Sequence, residues 1–244
     1  MDPFENEFNN LKNSSNPETV NDFLIRISKN PKEEYLSFLE YFLNETDEGL
    51  YNKIKLNLIF VLGEIGNVTK LSNYYFEKLS DIFYTSDRWI RYEIIQTISK
   101  ISKNTNLNED IFFLLGNALN DDYLPVKKGV LELLTSFESL PNSIILQFFR
   151  VLNTKDTEIL DLCRQVLESV PLKLESIYRF LDTSKNYKIL KPRAIRSLLL
   201  IKFKLITDLE AFNRFISNSG WEDNYKVIYL KEIDTLQSIL LKTL

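Results

Sequence analysis

One short pattern of apolar and basic residues recurs along the chain at a nearly constant interval. Its clearest copy is Ile90-Arg91-x-x-Ile94-Ile95-x-x-Ile98. The same order of residue types occurs 36 positions earlier, starting at Ile54-Lys55, and 36 positions later, starting at Val126-Lys127. Two further copies start at Leu162 and at Ile195. A nearly fixed period of this length indicates a helical repeat protein.

The spacing of the apolar residues within each copy is that of an α-helix. Positions three and four residues apart lie on one helical face, and the alternation that a strand would need is not sustained anywhere. Phe76, Phe112 and Phe148 also recur at intervals of 36, which indicates a second set of helices with the same period. The sequence therefore predicts an all-α fold, a right-handed α-solenoid of about six antiparallel helix pairs.

Prolines and capping residues mark most of the predicted helix starts. Asn16-Pro17-Glu18 combines an N-cap residue, a first-turn proline and a first-turn acid, which together open a helix. We predict a single solenoid domain over residues 17–244, with one of its helices over 187–204. Residues 1–16 are predicted to be an N-terminal tail that is either disordered or contains a short helix. Gly66 is predicted to cap the C-terminus of its helix.

The segment Asp87-Arg88-Trp89-Ile90-Arg91, followed by paired aliphatic residues, resembles the second helix of a HEAT repeat. Leu124-Pro125-Val126-Lys127 and Pro192-Arg193-Ala194-Ile195-Arg196 are echoes of it. The resemblance covers residues 31–243 as six helix pairs, with 18–29 as a partial cap. The interval is shorter than the ~40–47 residues usual for HEAT and armadillo repeats. The resemblance implies that the second helices line one surface, expected to be concave, and it says little about function.

The basic position of the pattern is the one repeated feature that core packing does not require. Together with its basic and aromatic neighbours it gives the candidate partner-binding residues, which are Lys55, Arg88, Trp89, Arg91, Tyr92, Lys127, Lys128, Arg193 and Arg196. One interpretation is that these cations bond to carboxylates and carbonyls in the turns, at Asp47, Asp87, Asp122 and Asp156, and so tie the repeats together. The other interpretation is a positive groove that binds an acidic peptide or helix.

The composition gives little support to enzyme chemistry. The chain has no histidine, which removes the usual general base and most transition-metal sites. Cys163 lies on a repeated helix beside core positions, so we predict an inert buried thiol. We expect no catalytic residue, no cofactor and no metal. The leading prediction is a non-catalytic scaffold or adaptor that binds a protein or peptide partner on the concave surface.

An alternative function follows from the same resemblance. The alkylpurine DNA glycosylases with a HEAT-like fold use a basic groove, aromatic residues and a carboxylate, roles that Trp89, Trp221 and Asp87 could have here. The formal net charge of −4 makes nucleic acid an unfavourable partner for the surface as a whole.

The sequence also carries predictions about cellular location. A single cysteine excludes an internal disulfide and fits a reducing compartment. The first residues lack the basic and apolar stretches of a secretory signal, and no apolar run approaches the ~20 residues that span a bilayer. We therefore expect a soluble cytoplasmic protein.

Overall fold

The computed structural model describes residues 3–170, 174–202 and 206–242. Within these ranges the chain forms fourteen α-helices and no β-strand, which confirms the predicted all-α class. In chain order the helices are α1 (Pro3–Leu11), α2 (Pro17–Ser28), α3 (Leu36–Asn44), α4 (Glu48–Gly66), α5 (Asn73–Thr85), α6 (Arg88–Ile101), α7 (Glu109–Ala118), α8 (Leu124–Leu134), α9 (Asn142–Val151), α10 (Thr157–Ser169), α11 (Leu174–Asp182), α12 (Pro192–Lys202), α13 (Ile206–Ser217) and α14 (Asp223–Lys242). In the part of the chain that is described, no helix combines the length and the apolar character needed to cross a lipid bilayer.

The helices divide between two compact units, Met1–Leu114 (unit 1) and Leu115–Leu244 (unit 2). In unit 1, α2, α4 and α6 pack side by side as a layer of second helices, and α3 and α5 pack against α4 and α6 as first helices. In unit 2, α8, α10, α12 and α14 form the corresponding layer, while α9 and α13 pack against α10 and α14. Each unit is therefore a stack of helix pairs, the arrangement of an α-solenoid.

The repeated apolar positions form the core of each unit. Ile94 and Ile98 on α6 are fully buried, and so are Val130 and Leu134 at the same positions of α8. A single pair of helices cannot cover such a face alone, so the second helices within each unit pack side by side and bury it. Truncation of one fully buried isoleucine to alanine typically costs about 2–5 kcal/mol.

An additional helix pair precedes the six that were predicted from residue 31 onward. α1 packs against α2 and buries Phe8. The side chain of Asn16 accepts a hydrogen bond of 2.9 Å from the backbone N–H of Glu18 and caps α2, as its sequence position indicates. On its other side α2 contacts α4, where Nδ2 of Asn57 donates a 2.8 Å hydrogen bond to Oδ1 of Asn21. α2 is therefore a member of the second-helix layer.

A 3-10 turn separates α11 from α12 and shortens the helix that was predicted over 187–204. The turn spans Thr183–Lys188, where Ser184 and Lys185 have left-handed backbone with φ of 52° and 59°. α12 then starts at Pro192, because proline is suited to the first turn of a helix. The predicted helix end at 203–204 lies outside the described residues.

The paired aliphatic residues of α12 are one position earlier than the repeated pattern predicted. Leu198 and Leu199 are buried, whereas Leu200 is 50% exposed. The last position of this copy, Phe203, lies outside the described residues. The prediction that Leu199 and Leu200 share the core is therefore wrong for Leu200, because the buried face of α12 is formed by Ala194, Ile195, Leu198 and Leu199.

Gly66 lies where two helices approach closely and does not form a left-handed cap. It is the last residue of α4, and the cap residue after it, Asn67, has a right-handed φ of −71°. A Cβ atom at Gly66 would lie only 2.5 Å from Cγ1 of Ile101 on α6. The prediction of a glycine cap is therefore wrong, and the absence of a side chain instead allows α4 and α6 to pack against each other.

Candidate interaction surfaces

The nine predicted partner-binding residues lie on second helices, in two groups. In unit 1, Lys55 lies on α4, and Arg88, Trp89, Arg91 and Tyr92 lie on the adjacent α6. We call these five residues the Trp89 surface. In unit 2, Lys127 and Lys128 lie on α8, and Arg193 and Arg196 lie on α12.

The exposed aromatic ring of the Trp89 surface is placed by the helix cap that precedes it. Oδ1 of Asp87 accepts hydrogen bonds from the backbone N–H groups of Trp89, at 2.8 Å, and Ile90, at 3.1 Å. Ile90 turns into the core while Trp89 remains 57% exposed. The guanidinium carbon of Arg88 lies 5.2 Å from the centroid of the Trp89 ring, within the range of a cation–π interaction. Tryptophan and arginine are both enriched among the residues that contribute most of the binding energy at protein interfaces.

The other two cations of the Trp89 surface are held by groups in their own repeat. Nη1 of Arg91 donates a 3.1 Å hydrogen bond to the carbonyl oxygen of Ser86 in the preceding turn. Nζ of Lys55 lies 3.4 Å from Oδ1 of Asn52 and 5.6 Å from the ring centroid of Tyr51. Burial raises the pKa of Tyr51 above its ordinary value, so this phenol stays protonated beside the ammonium group. Arg91 therefore bonds to a carbonyl oxygen in a turn, which is the first of the two interpretations of the repeated cations.

Two cations of unit 2 form ion pairs between neighbouring second helices. Nζ of Lys128 on α8 lies 2.5 Å from a carboxylate oxygen of Glu158 on α10. Arg196 on α12 binds Glu232 on α14 with two hydrogen bonds, of 2.7 and 3.1 Å. The hydrogen bonds and charge of Glu232 raise the pKa of Arg196. These cations join adjacent repeats, and their carboxylate partners lie on the next second helix.

Three of the four turn aspartates that were considered as partners of the cations, Asp47, Asp87 and Asp156, cap helices instead. Oδ1 of Asp47 accepts from the N–H of Leu50, and Oδ1 of Asp156 accepts from the N–H of Ile159, both at 3.1 Å. Both side chains therefore cap second helices, as Asp87 does at α6. Capping by aspartate also places a negative charge at the positive end of the helix dipole.

Lys127 and Arg193 differ from Lys128 and Arg196. Within the described ranges, neither side chain has a hydrogen bond or an ion pair. Arg193 is exposed in the first turn of α12, whereas Lys127 is half-buried. These two positive charges are therefore available to a ligand without the breaking of an existing ion pair.

A cavity of about 430 Å³ lies beside Lys127, where the turns that lead into α8 and α10 meet. We call it the Lys127 cavity, and its principal lining residues are Leu119, Leu124, Lys127, Arg150, Asp156 and Ile159. The sequence pattern did not identify Arg150, which lies on the first helix α9. Its guanidinium Nη1 donates a 3.1 Å hydrogen bond to the neutral Oε1 of Gln147. The structure thus brings a second cation, from a different helix, to the wall that holds Lys127.

Cys163 is the one thiol of the chain, and it is fully buried in α10. Burial raises its pKa to about 12. A thiol that stays protonated and inaccessible is a poor nucleophile. Among the described residues, no group of three or more histidine, cysteine, aspartate or glutamate side chains is arranged to hold a metal ion.

Two of the three residues considered for a glycosylase have structural partners. Trp221 is only 3% exposed, and its Nε1 donates a 2.8 Å hydrogen bond to Oδ1 of Asp182. Its ring stacks on Tyr187 at a centroid distance of 4.6 Å. Asp87 caps α6, as described above. Trp221 therefore packs in the core of unit 2 and does not face a groove where a flipped base could bind.

Comparison with known proteins gives only distant structural likeness. No family model matches the chain, and no curated protein matches it. Among solved structures, an engineered protein is 14% identical with a TM-score of 0.48 and covers 96% of this chain and 98% of its own. A designed armadillo repeat protein in complex with the peptide (KR)4 is 13% identical with a TM-score of 0.46, over 93% of this chain and 98% of its own. A second designed armadillo repeat protein is 14% identical with a TM-score of 0.45 over the same shares. Likeness at this level supports no inference about function.

Proposed function

We propose that this chain is a non-catalytic scaffold that binds an acidic segment of a partner protein on its second helices. The observation that carries the proposal is the Trp89 surface, where a largely exposed indole lies under the guanidinium of Arg88. Burial of such a ring against a partner removes a large apolar area from water. The adjacent arginine can donate hydrogen bonds to a carboxylate of the partner. The neighbouring cations Lys55 and Arg91 favour an acidic partner at this surface.

The non-catalytic part of the proposal rests on the chemistry of the side chains. The chain has no histidine, and the raised pKa of Cys163 removes its one thiol as a nucleophile at neutral pH. The single buried cysteine also fits the reducing cytoplasm, which we propose as the location. Trp221, one of the two aromatic residues considered for a base-excision activity, is buried and therefore does not contact a DNA base. Release of base from alkylated duplex DNA by the purified protein would contradict this part of the proposal.

The partner-binding part is tested by affinity capture from cells that express the protein, with three variants compared with the wild type. Trp89→Ala and Arg88→Glu remove the ring and reverse the charge of the Trp89 surface. Phe113→Ala is the matched control, since Phe113 is an equally exposed aromatic residue, 60% accessible, on the first helix α7. We expect the captured proteins to fall at least about tenfold for the first two variants, because truncation of an interface hot spot typically costs 2 kcal/mol or more.

Thermal unfolding of each variant accompanies the capture. Trp89 and Arg88 are exposed, so the unfolding midpoints should stay close to that of the wild type. Equal recovery of the same proteins by wild type, Trp89→Ala and Arg88→Glu would show that the Trp89 surface is not the binding site.

A further inference from the structure

We propose that the Lys127 cavity of unit 2 binds a partner segment in which an acidic side chain stands next to a large apolar one. This inference rests on the proposed scaffold function and assigns chemistry to a second surface, of which the repeated pattern revealed only Lys127. It depends on three properties of the cavity, which are its excess of cations over carboxylates, its position at two helix starts and its apolar floor.

The first property is an excess of positive charge at the cavity wall. Within the described ranges, Lys127 has no ion pair or hydrogen bond, and the guanidinium of Arg150 bonds only to the neutral Gln147. Gln147 also accepts a 3.0 Å hydrogen bond from Nδ2 of Asn120, so its oxygen is shared between two donors. The carboxylate of Asp156 also lines the cavity, but its Oδ1 accepts hydrogen bonds from two backbone N–H groups of α10. A carboxylate from a partner would give both cations a charged acceptor.

The second property is the direction of the helices that begin there. α8 begins at Leu124 and α10 at Thr157, so both present their positive ends to the turns that line the cavity. A helix start carries partial positive charge and favours an anion within its first turn. The dipole of α8 therefore acts in the same sense as Lys127 and Arg150, whereas the positive end of α10 is already capped by Asp156.

The third property is an apolar floor that a simple anion would leave uncovered. Leu119, Val151 and Ile159 line the cavity and belong to the core of unit 2, while Leu124 at its rim is 37% exposed. An apolar ligand side chain that packs on this floor and on the exposed part of Leu124 is removed from water, which favours binding. A ligand that offers both a carboxylate and an adjacent leucine-like or aromatic side chain therefore matches the cavity better than either group alone.

The cavity also continues towards further positive charge along the same unit. Asn153 lines the cavity and joins it to the turn before α12, because its Nδ2 donates to the carbonyl of Ile189 at 3.0 Å and its Oδ1 accepts from the N–H of Lys191 at 2.8 Å. Lys155 and Lys191 are exposed on these two turns. An extended acidic segment could follow this line, whereas nucleic acid would lack a stacking partner because no residue that lines the cavity is aromatic.

The test uses the full-length protein and a short synthetic peptide in which glutamate alternates with leucine. Binding is followed by NMR of the methyl groups of Leu124, Val151 and Ile159. Three comparison ligands are a peptide with glutamine in place of glutamate, a peptide with serine in place of leucine, and inorganic phosphate. We expect the Glu–Leu peptide to shift these methyl signals at lower concentrations than any of the three.

Charge variants then assign the binding to the two cations. Lys127→Gln and Arg150→Gln should each weaken the peptide by about tenfold, the usual effect of losing one hydrogen bond to a charged group. Lys127→Arg should keep the affinity, which separates loss of charge from damage to the fold. Lys231→Gln is the matched control, because Lys231 is an exposed lysine of α14 that lines a different cavity of the same unit.

Several results would overturn the inference. Equal binding of the glutamine peptide would mean a purely apolar cavity, and equal binding of the serine peptide or of phosphate would mean a general anion site. Absence of shifts at the three methyl groups, or equal weakening by Lys231→Gln, would place the peptide elsewhere. These shifts are read at methyl groups of unit 2, whereas capture is tested at Trp89 and Arg88, so failure at the Lys127 cavity is distinguishable from failure of the proposed function at the Trp89 surface.

Discussion

At the scale of the residue, Gly66 is the position where one added carbon should have the clearest effect on stability. In Gly66→Ala the new Cβ would lie 2.5 Å from Cγ1 of Ile101 and 3.0 Å from Cδ1 of Leu71, both on buried side chains. Overpacking of this kind costs about 1–3 kcal/mol, and the better helix propensity of alanine returns about 1 kcal/mol. We expect a net loss of about 1 kcal/mol in the free energy of unfolding, measured with urea.

Gly220→Ala is the control for this prediction. No atom lies within 4 Å of a Cβ built at Gly220, and its φ is not positive. Alanine there should therefore leave stability unchanged or raise it by up to about 0.5 kcal/mol, because it restricts the unfolded chain. If both alanine variants had the same stability, close packing at Gly66 would not be the reason for glycine.

Cys163 should make the stability of the protein depend on pH in the alkaline range. The unfolded thiol titrates near pH 9.0, whereas burial raises the pKa of the folded thiol to about 12. Above pH 9 the unfolded chain loses a proton that the folded chain keeps, so the contribution present below pH 9 is lost between pH 9 and 12. The slope is at most about 1.4 kcal/mol per pH unit. Cys163→Ala should reduce the slope in urea unfolding by this amount, and an unchanged slope would contradict it.

At the scale of the element, the two ion pairs between second helices of unit 2 should differ in their importance. Glu232 is buried, with 6% of its side chain exposed, whereas Glu158 is 65% exposed. Loss of a partner leaves a buried carboxylate uncompensated but leaves an exposed one in water. Arg196→Met should therefore lower the urea midpoint clearly more than Lys128→Met. The double variant Arg196→Met/Glu232→Gln should recover part of that loss, and an equal fall for the two single variants would contradict the prediction.

The pairing of helices could be predicted from the sequence because burial follows the helical period, as at Ile90, Ile94 and Ile98. The same interval governs the bonds between repeats: Lys100 bonds to Glu64, 36 positions earlier. Which polar side chains meet in the turns could not be predicted, because Arg150 reaches the Lys127 cavity only through the packing of α9. No local pattern marks such a residue, since its role depends on contacts between segments and not on its neighbours in the chain.

At the scale of the whole molecule, the net charge is divided unequally between the two units. Unit 1 has twelve lysines and arginines and eighteen aspartates and glutamates, a net charge of −6, whereas unit 2 has eighteen and sixteen, a net charge of +2. Charges farther apart than the Debye length of about 8 Å at physiological salt interact weakly. An acidic partner therefore responds to the local cations of the Trp89 surface and the Lys127 cavity, and the overall charge of −4 does not exclude it.

A stack of repeats also needs an end that covers its last apolar face, and α1 supplies one for unit 1. Phe8 of α1 stacks on Phe38 of α3 with a centroid distance of 4.3 Å and contacts the ring of Phe42 edge-on at 5.7 Å. Phe8→Ala should lower the free energy of unfolding by about 3 kcal/mol and uncover these rings, so that sedimentation velocity detects self-association. Asn10→Ala, on the exposed side of α1, should do neither. Equal stability and equal sedimentation of the two variants would mean that α1 does not protect the aromatic core, and the end of the stack would then have to be covered by other residues.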